Sequence, residues 1–140
     1  MIYFFTEDHS FKISKKARLK SWLKAIAKNH DHKIGDLNYV FCSDEYLHNM
    51  NVEYLNHDTL TDIITFDQKE GNVINGDIFI SVDRVSDNAK QLKVEFESEL
   101  LRVLSHGILH IIGYKDKTPA EAALMREQEE KSLILHQEYP

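Results

Sequence analysis

The apolar run over residues 94–112 constrains the fold of this chain more than any other segment. Its Leu, Val and Ile residues recur on more than one face of a helix, which is typical of a helix buried inside a domain. Gly113 follows directly, and glycine commonly ends a helix because it tolerates a left-handed backbone. The sequence therefore predicts a central, mostly buried helix around which the other elements pack.

Strand and helix patterns alternate along the rest of the chain. Alternation and β-branched content predict strands over residues 2–6, 37–42, 63–66 and 77–82, with a hairpin joining the last two. Ser14 and Ser43 are the expected N-caps of two helices, and helical spacing resumes at Asp83. Thr118 and Pro119 begin a capping box that starts a final helix, which runs to about residue 136. Four strands and about five helices predict an α/β (α+β) fold.

The 140 residues are expected to form one domain, residues 1–140, since this length supports one core but not two. Cys42, the only cysteine, falls in an apolar run and is expected to be a buried strand residue. A single cysteine cannot form an intrachain disulfide, which fits a reducing compartment. No secretory signal and no run of about 18 apolar residues is visible, so we expect a cytoplasmic protein without a membrane segment.

The net charge of −6 argues against a simple electrostatic nucleic-acid binder, but the charge is unevenly distributed. Eight of the 17 Lys and Arg residues fall within residues 12–33, where Asp31 is the only acid. This stretch predicts either a local phosphate-binding face or a solvated helix face, and composition does not separate the two.

The segment His106-Gly-Ile-Leu-His110-Ile-Ile-Gly113-Tyr-Lys-Asp116 predicts a metal site. Two histidines four apart lie on one face of a helix and can reach the same ion. A helix end at Gly113 allows the chain to turn back and bring Asp116 to that ion as a third ligand. Three protein ligands leave one tetrahedral position for water, which is the arrangement of a catalytic zinc. The pattern therefore indicates metal-assisted hydrolysis by one Zn²⁺ ion.

The same spacing is similar to the extended motif of metallopeptidases, with one difference. Those enzymes carry a glutamate, the general base, directly after the first histidine. Gly107 stands at that position here and has no side chain to move a proton. A peptidase that uses the usual mechanism is therefore disfavoured.

Several blocks, read in order, resemble the YbeY family of bacterial endoribonucleases. The blocks are Asn51-x-x-Tyr54, Thr61-Asp62-Ile-Ile-Thr65-Phe66, Gly76-Asp77-Ile78-x-Ile80 and His106-Gly-x-Leu-His-x-x-Gly-Tyr114. The resemblance implies a single-strand-specific, metal-dependent RNase that matures the 3′ end of 16S ribosomal RNA, acts on the 30S subunit and takes part in ribosome quality control. It also implies a mixed four-stranded sheet and a zincin-like zinc site at the end of the central helix.

The chain departs from the family pattern at two positions. Asp116 stands where the family usually has a histidine ligand, and a carboxylate there should make the metal a weaker Lewis acid. Leu55 stands where the family usually has an arginine, a natural phosphate contact. Lys115 and Lys117 flank the third ligand and are candidates to supply the missing positive charge, which makes them expected substrate-binding residues.

Three further residues near the predicted site have two interpretations each. Asp62 is either a general base or partner of the metal ligands, or a turn carboxylate that caps local backbone amides. His57 and Asp58 either line the site or are ordinary exposed loop residues. Tyr114 either stacks on an RNA base or packs in the core. His106, His110 and Asp62 are the expected catalytic set.

The remaining polar candidates carry less weight. Ser105 and His106 are adjacent on a helix and point in different directions, so they are not expected to form a nucleophile–base pair. The other histidines show no ligand spacing and are expected at the surface: His9, His30, His32, His48 and His136. Two rival functions stay open, namely a zinc peptidase or small-molecule hydrolase, and a non-enzymatic ribosome-assembly protein with a structural metal.

Overall fold

The computed structural model of this chain describes residues 1–57 and 60–139. In chain order the elements are β1 (Ile2–Thr6), α1 (Lys16–Asn29), β2 (Lys33–Cys42), α2 (Asp44–Leu55), β3 (Ile63–Asp67), β4 (Val73–Ser81), α3 (Val82–Leu92), α4 (Phe96–Ile112) and α5 (Pro119–His136). The α/β arrangement predicted from the sequence is confirmed. None of the helices in the described part is long and apolar enough to cross a membrane.

The four strands form one mixed sheet in the order β1-β2-β4-β3. Strands β1, β2 and β4 are parallel, because helices connect them, whereas β3 runs antiparallel to β4. The predicted hairpin is therefore confirmed, with Ile63 opposite Ile80 and Asp67 opposite Gly76. As a result the start of β3, just after Asp62, lies beside the end of β4 at one corner of the sheet.

Helix α4 is the central element of the core, as predicted. Ten of its residues are buried, and it packs on the sheet and on α1, α3 and α5. Tyr39 of β2 donates its hydroxyl hydrogen to the carbonyl of Leu104 at 2.9 Å. The helix approaches the sheet most closely at Gly107, where a Cβ atom would lie 2.9 Å from the side chain of Ile78. A larger residue at 107 would force these two layers apart.

Two of the three predicted N-caps are confirmed and one is wrong. The side chains of Ser43 and Thr118 accept backbone hydrogen bonds at the starts of α2 and α5, and Thr118 forms the complete capping box. The prediction of Ser14 as the cap of α1 was wrong: Lys15 holds that position, with a left-handed φ of 57° and no side-chain cap. Cys42 is fully buried, as expected, and burial raises the pKa of its thiol to about 12.

Strand β2 begins at Lys33, four residues before the predicted start. A register shift between Ile34 and Leu37 interrupts its pairing with β4. Asn75 fills this irregularity and accepts the backbone hydrogen bond of Asp36 at 2.8 Å. Such a bulge hides the early part of a strand from a period-two pattern, because the extra residue reverses the alternation of faces.

Candidate active site

A cleft of about 560 Å³ opens between the end of α2, the start of β3 and the second half of α4. It brings together six residues that the sequence named as candidates for the site, which are His57, Asp62, His106, His110, Asp116 and Lys117. The lining is more polar than that of the buried core. These side chains come from the segment between α2 and β3, from α4 and from the segment after α4, so the fold itself assembles the cleft.

The two histidines are placed by the pitch of α4. Their rings are nearly parallel, at 3° to each other, with centroids 6.5 Å apart. The helix stops at Gly113, which has a φ of 138°, and the backbone N–H of Tyr114 folds back onto the carbonyl of Leu109 at 3.1 Å. This turn brings Asp116 back toward the helix end, as the spacing predicted.

The carboxylate of Asp116 lies 3.3 Å from Nε2 of His106. Two ligands of one tetrahedral zinc, each about 2.0–2.2 Å from the ion, are separated by about 3.4 Å. The pair is therefore spaced as two donors to one ion would be. His110 contributes a third donor of the right chemistry on the same helical face, and its buried Nδ1 has no hydrogen-bond partner in the part of the chain that the structure describes.

The three side chains do not yet form a closed ligand set. Among residues 1–57 and 60–139, no group of three His, Cys, Asp or Glu side chains lies close enough together to hold an ion as placed. The donor set of two imidazoles and one carboxylate suits zinc. His110 is the member of the set whose buried Nδ1 has no hydrogen-bond partner among the described residues.

A buried network of charges supports His106 from behind. Its Nδ1 donates to Oε2 of Glu129 on α5 at 2.7 Å. Arg102 donates to Oε1 of the same carboxylate at 3.1 Å, and it also binds Glu99 through two hydrogen bonds of 2.8 and 2.6 Å. The carboxylates are almost fully enclosed, with 2% of Glu99 and 3% of Glu129 exposed. Two helices are thereby joined directly beneath the cleft.

The sequence analysis missed Arg102, Glu99 and Glu129. Glu99 and Arg102 stand three apart in an otherwise apolar helix, and this was the one available signal, since buried charges need partners. No comparable signal marks Glu129, because it lies between the acidic Glu127 and Glu130 on a helix that is polar on most sides. Only the packing of α5 on α4 shows that it alone of these three glutamates is buried.

Burial and charge act in opposite directions on the titratable groups of the cleft. Burial raises the pKa of Asp62, although Arg102 and His106 partly lower it. Burial tends to lower the pKa of His106, but the hydrogen bond and charge of Glu129, with Asp116 and Asp62, raise it overall. Burial tends to raise the pKa of Glu129, yet its hydrogen bond to His106 and the charge of Arg102 lower it overall. Glu129 is therefore a carboxylate that accepts from His106.

Asp62 is held from two sides at the edge of the cleft. Its backbone carbonyl accepts the N–H of Ser81 at 3.0 Å. Its carboxylate receives a long hydrogen bond of 3.5 Å from Asn88 and lies 3.7 Å from the guanidinium of Arg102. Both contacts are long and are made on one side of the carboxylate, at Oδ2. Asp62 is also one of the residues that line the cleft.

The residues expected to bind substrate divide between the cleft and its surroundings. Lys117 and His57 line the cleft, whereas Lys115 and Tyr114 are not among its lining residues. Tyr114 is half-buried, and its hydroxyl lies 3.1 Å from Nε2 of His30. This placement favours the packing interpretation of Tyr114 over base stacking. Asp58, the other loop candidate, lies outside the described residues.

Ser105 and the histidines outside the predicted ligand pair have structural contacts of their own. Ser105 is buried and donates to the carbonyl of Arg102 at 2.7 Å, so it is not paired with His106 as a nucleophile. The five histidines expected at the surface are each partly exposed and partly buried. His9 contacts Asp83 at 3.1 Å, and the ring of His136 packs edge-on against Trp22.

The basic stretch over residues 12–33 lies away from the cleft. Lys12, Lys15 and Arg18 line a separate pocket of about 190 Å³, whose floor includes Phe96 and Leu100. No residue lines both this pocket and the cleft. Phosphate binding by this stretch stays a prediction, and the pocket beside it is distinct from the cleft that holds the histidines.

Comparison with known proteins places the chain in a defined group. A family model described as Endoribonuclease YbeY matches residues 3–137. Endoribonuclease YbeY of Flavobacterium johnsoniae is 55% identical over 131 residues, which cover 94% of this chain and 94% of that protein. The protein of the same name from Cytophaga hutchinsonii is 52% identical over 135 residues, covering 96% and 94%. The solution structure of TM1509 from Thermotoga maritima is similar with a TM-score of 0.69 and 27% identity, covering 97% of this chain and 89% of that one.

Proposed function

This chain belongs to the endoribonuclease YbeY family, and we propose that it hydrolyses phosphodiester bonds of single-stranded RNA in the cleft beside α4. The observation that carries the proposal is the line of contacts from Glu129 through His106 to Asp116, which ends in the open cleft. We further propose that the substrate is the 3′ end of precursor 16S ribosomal RNA on the 30S subunit, in the cytoplasm, with a role in ribosome quality control.

His106, His110 and Asp116 would hold one Zn²⁺ ion at the floor of the cleft. When bound, the ion would lower the pKa of a water molecule and polarise a phosphoryl oxygen. Two neutral imidazoles and one carboxylate leave a net positive charge at such a site, which suits an anionic phosphodiester. The open side of the cleft leaves room for the substrate.

Asp62 is the residue best placed to move a proton. Its carboxylate lines the same cleft as the histidines, and burial raises its pKa above the ordinary aspartate range. A carboxylate with a raised pKa is a stronger base, so it accepts the proton of an attacking water more readily. We therefore assign it the role of general base, with the proton taken at a carboxylate oxygen.

Lys117 supplies positive charge where phosphates would enter the cleft, and Lys115 is exposed two residues earlier. Leu55 lines the cleft without any charge, so we assign the phosphate contact in the cleft to Lys117 and a contact outside its lining to Lys115. A single strand can splay its bases and follow an irregular cleft, whereas a duplex is a stiff rod. These features support a single-stranded substrate.

A peptidase is disfavoured for a physical reason beyond the missing glutamate. The Cα of Gly107 faces the sheet, and a Cβ there would lie 2.9 Å from Ile78 and 3.2 Å from Ile63. A glutamate at this position would point into the core instead of the cleft. The backbone thus offers no route to the usual peptidase base.

The test is cleavage by the His106→Gln variant, with His32→Gln as a control histidine outside the cleft. We expect the first variant to lose bound zinc and RNA cleavage, because one ligand is removed, while the control keeps both. Elemental analysis gives the metal content, and labelled single-stranded RNA, duplex RNA, precursor 16S RNA and unstructured protein serve as substrates. Unchanged zinc and unchanged RNA cleavage in His106→Gln would overturn the proposal.

The rival of a non-enzymatic assembly protein makes a different prediction about metal removal. A structural metal holds the fold together, so its removal with a chelator would unfold the chain. We expect the chelated protein to keep its circular dichroism spectrum and to lose only cleavage, since the main hydrophobic core cluster is apolar and does not include His106, His110 or Asp116. Unfolding on chelation would favour the rival.

A further inference from the structure

We propose that Glu129 is a positioning residue of this site: it fixes the proton of His106 on Nδ1 and so leaves Nε2 as the free metal donor. The inference rests on the proposed function, since it concerns the metal that the cleft would hold. Glu129 is separated from His106 by 23 residues and comes from another helix, yet their side chains meet at 2.7 Å.

The two nitrogens of His106 face different surroundings. Nδ1 points at the carboxylate of Glu129, while Nε2 points at Asp116 at 3.3 Å on the cleft side. A neutral imidazole carries one proton, and an ionised carboxylate can only accept. Both nitrogens face a carboxylate, but the 2.7 Å contact with Glu129 is a hydrogen bond, whereas the 3.3 Å contact with Asp116 is an ion-pair distance. The single proton therefore resides on Nδ1, and the lone pair of Nε2 is directed into the cleft. A metal-binding histidine commonly has such a carboxylate partner.

Glu129 is itself held in one orientation. Arg102 donates a hydrogen bond to the second carboxylate oxygen of Glu129 at 3.1 Å. Arg102 is itself held by Glu99, which accepts two short hydrogen bonds from its guanidinium. All three groups are partly or fully enclosed by α4 and α5. The carboxylate thus cannot turn away from His106 without leaving Arg102 partly unpaired, which is costly in a buried site.

His110 provides the internal contrast. It lies on the same face of the same helix, but none of the described residues forms a hydrogen bond with its buried Nδ1. One imidazole of the predicted ligand pair is thus preorganised and the other is not. The affinity of the site for metal should accordingly depend on α5, which supplies no ligand of its own.

The decisive variant is Glu129→Gln, which keeps the size of the side chain and removes its charge. A glutamine has one acceptor oxygen, and the guanidinium of Arg102 requires it. The amide NH₂ group would then face Nδ1 of His106, which must become an acceptor and carry its proton on Nε2. We expect zinc affinity to fall by roughly 10- to 100-fold. The control is Glu130→Gln, the same change on an exposed neighbouring residue, for which we expect no change.

Two measurements separate positioning from simple helix pairing. Nitrogen chemical shifts of His106 in the metal-free protein, at a pH where the ring is neutral, report which nitrogen carries the proton. Competition with a chelator gives the zinc dissociation constant. A folded Glu129→Gln variant with the wild-type tautomer and wild-type zinc affinity would overturn the inference, because the residue would then only join two helices.

If Glu129→Gln does not fold, Glu129→Asp replaces it. This variant keeps the charge and withdraws the carboxylate by one methylene, so we expect a smaller loss of zinc affinity with the proton still on Nδ1; unchanged affinity overturns the inference. The proposed function fails separately: wild-type protein that binds zinc but does not cleave RNA contradicts the nuclease activity, while the comparison of variants still decides the role of Glu129.

Discussion

The two aspartates of the cleft differ in how far they are enclosed, and this difference separates their roles. The side chain of Asp62 is 23% exposed and that of Asp116 is 44% exposed. Asp116 contacts a histidine directly, whereas Asp62 stands beside Arg102 with a pKa raised by burial. The enclosed carboxylate suits proton transfer and the exposed one suits a ligand at the rim.

Replacing Asp62 by asparagine should therefore remove catalysis without removing metal. Because the amide cannot accept the proton of water, we expect kcat for RNA cleavage to fall by roughly 10²- to 10⁴-fold. Zinc content should remain that of the wild type, as measured by elemental analysis on the same sample. In the matched variant Asp116→Asn we expect the zinc content itself to fall, and the loss of cleavage to follow from the loss of metal. A wild-type kcat in Asp62→Asn would show that the carboxylate of Asp62 only caps the turn and takes no part in catalysis.

At the residue scale the sequence predicted the parts of the site that follow from local spacing. His106 and His110 are one helical turn apart, and Gly113 ends the helix, so their arrangement needs no knowledge of the fold. Glu129 became visible only in three dimensions, since its partner lies 23 residues away on another helix. Long-range pairings of this kind leave no periodic trace in a single sequence.

Among the elements, α4 is placed by its close approach to the sheet at Gly107. Introducing glutamate there would bury an uncompensated carboxylate between Ile78 and Ile63. We expect Gly107→Glu to lower the free energy of unfolding by roughly 3–5 kcal/mol, measured by urea denaturation. Ser98→Glu is the control, because Ser98 is exposed in the first turn of the same helix, where an added acid is neutral or mildly stabilising. Equal stabilities for the two variants would contradict the packing described here.

The capping box of α5 fixes the end of the chain segment that carries Asp116. The hydroxyl oxygen of Thr118 accepts the backbone N–H of Glu121 at 3.1 Å, and the carboxylate of Glu121 accepts the backbone N–H of Thr118 at 3.0 Å. Thr118→Ala should cost about 1 kcal/mol of unfolding free energy, whereas Thr118→Ser keeps the hydroxyl and should cost less. Thermal denaturation of the three proteins checks this order. If Thr118→Ser is as unstable as Thr118→Ala, the hydroxyl group of Thr118 is not the source of the stabilisation.

Element boundaries were predicted well where side chains decide them and poorly where the backbone does. Ser43 and Thr118 act through their hydroxyls, so sequence reveals them. At the start of α1 no side chain caps the helix, and the left-handed backbone of Lys15 sets the boundary. A lysine in the sequence does not indicate that conformation. The early part of β2 was missed for a similar reason, because Asn75 stabilises an irregular backbone from the neighbouring strand.

For the molecule as a whole, pH should act on stability through His136. Burial lowers its pKa, Lys15 and Arg18 lower it further, and Glu97 partly opposes them. Its unfolded value is about 6.5, so below that pH the unfolded chain binds a proton that the folded chain does not. Stability must then decrease as the pH falls from about 6.5 toward the folded pKa.

The check is urea denaturation of the wild type and of His136→Gln at pH 7.5 and pH 5.5. Between these two values the wild type should lose more stability than the variant, since the variant lacks the group that titrates. The comparison cancels contributions from other histidines, including His106, whose raised pKa acts in the opposite sense in the metal-free protein. Identical losses in both proteins would exclude His136 as a source of the pH dependence.

The parallel rings of His106 and His110 have a consequence for how such a site can vary. Their mutual placement is dictated by the helical repeat, so inserting or deleting even one residue between them would swing one ring by about 100° out of the cleft. Asp116 follows a non-repeating turn and is under no such restriction. A substitution at position 116 can therefore exchange an oxygen donor for a nitrogen donor and so change the charge of the centre. The helix that presents the other two donors stays unchanged.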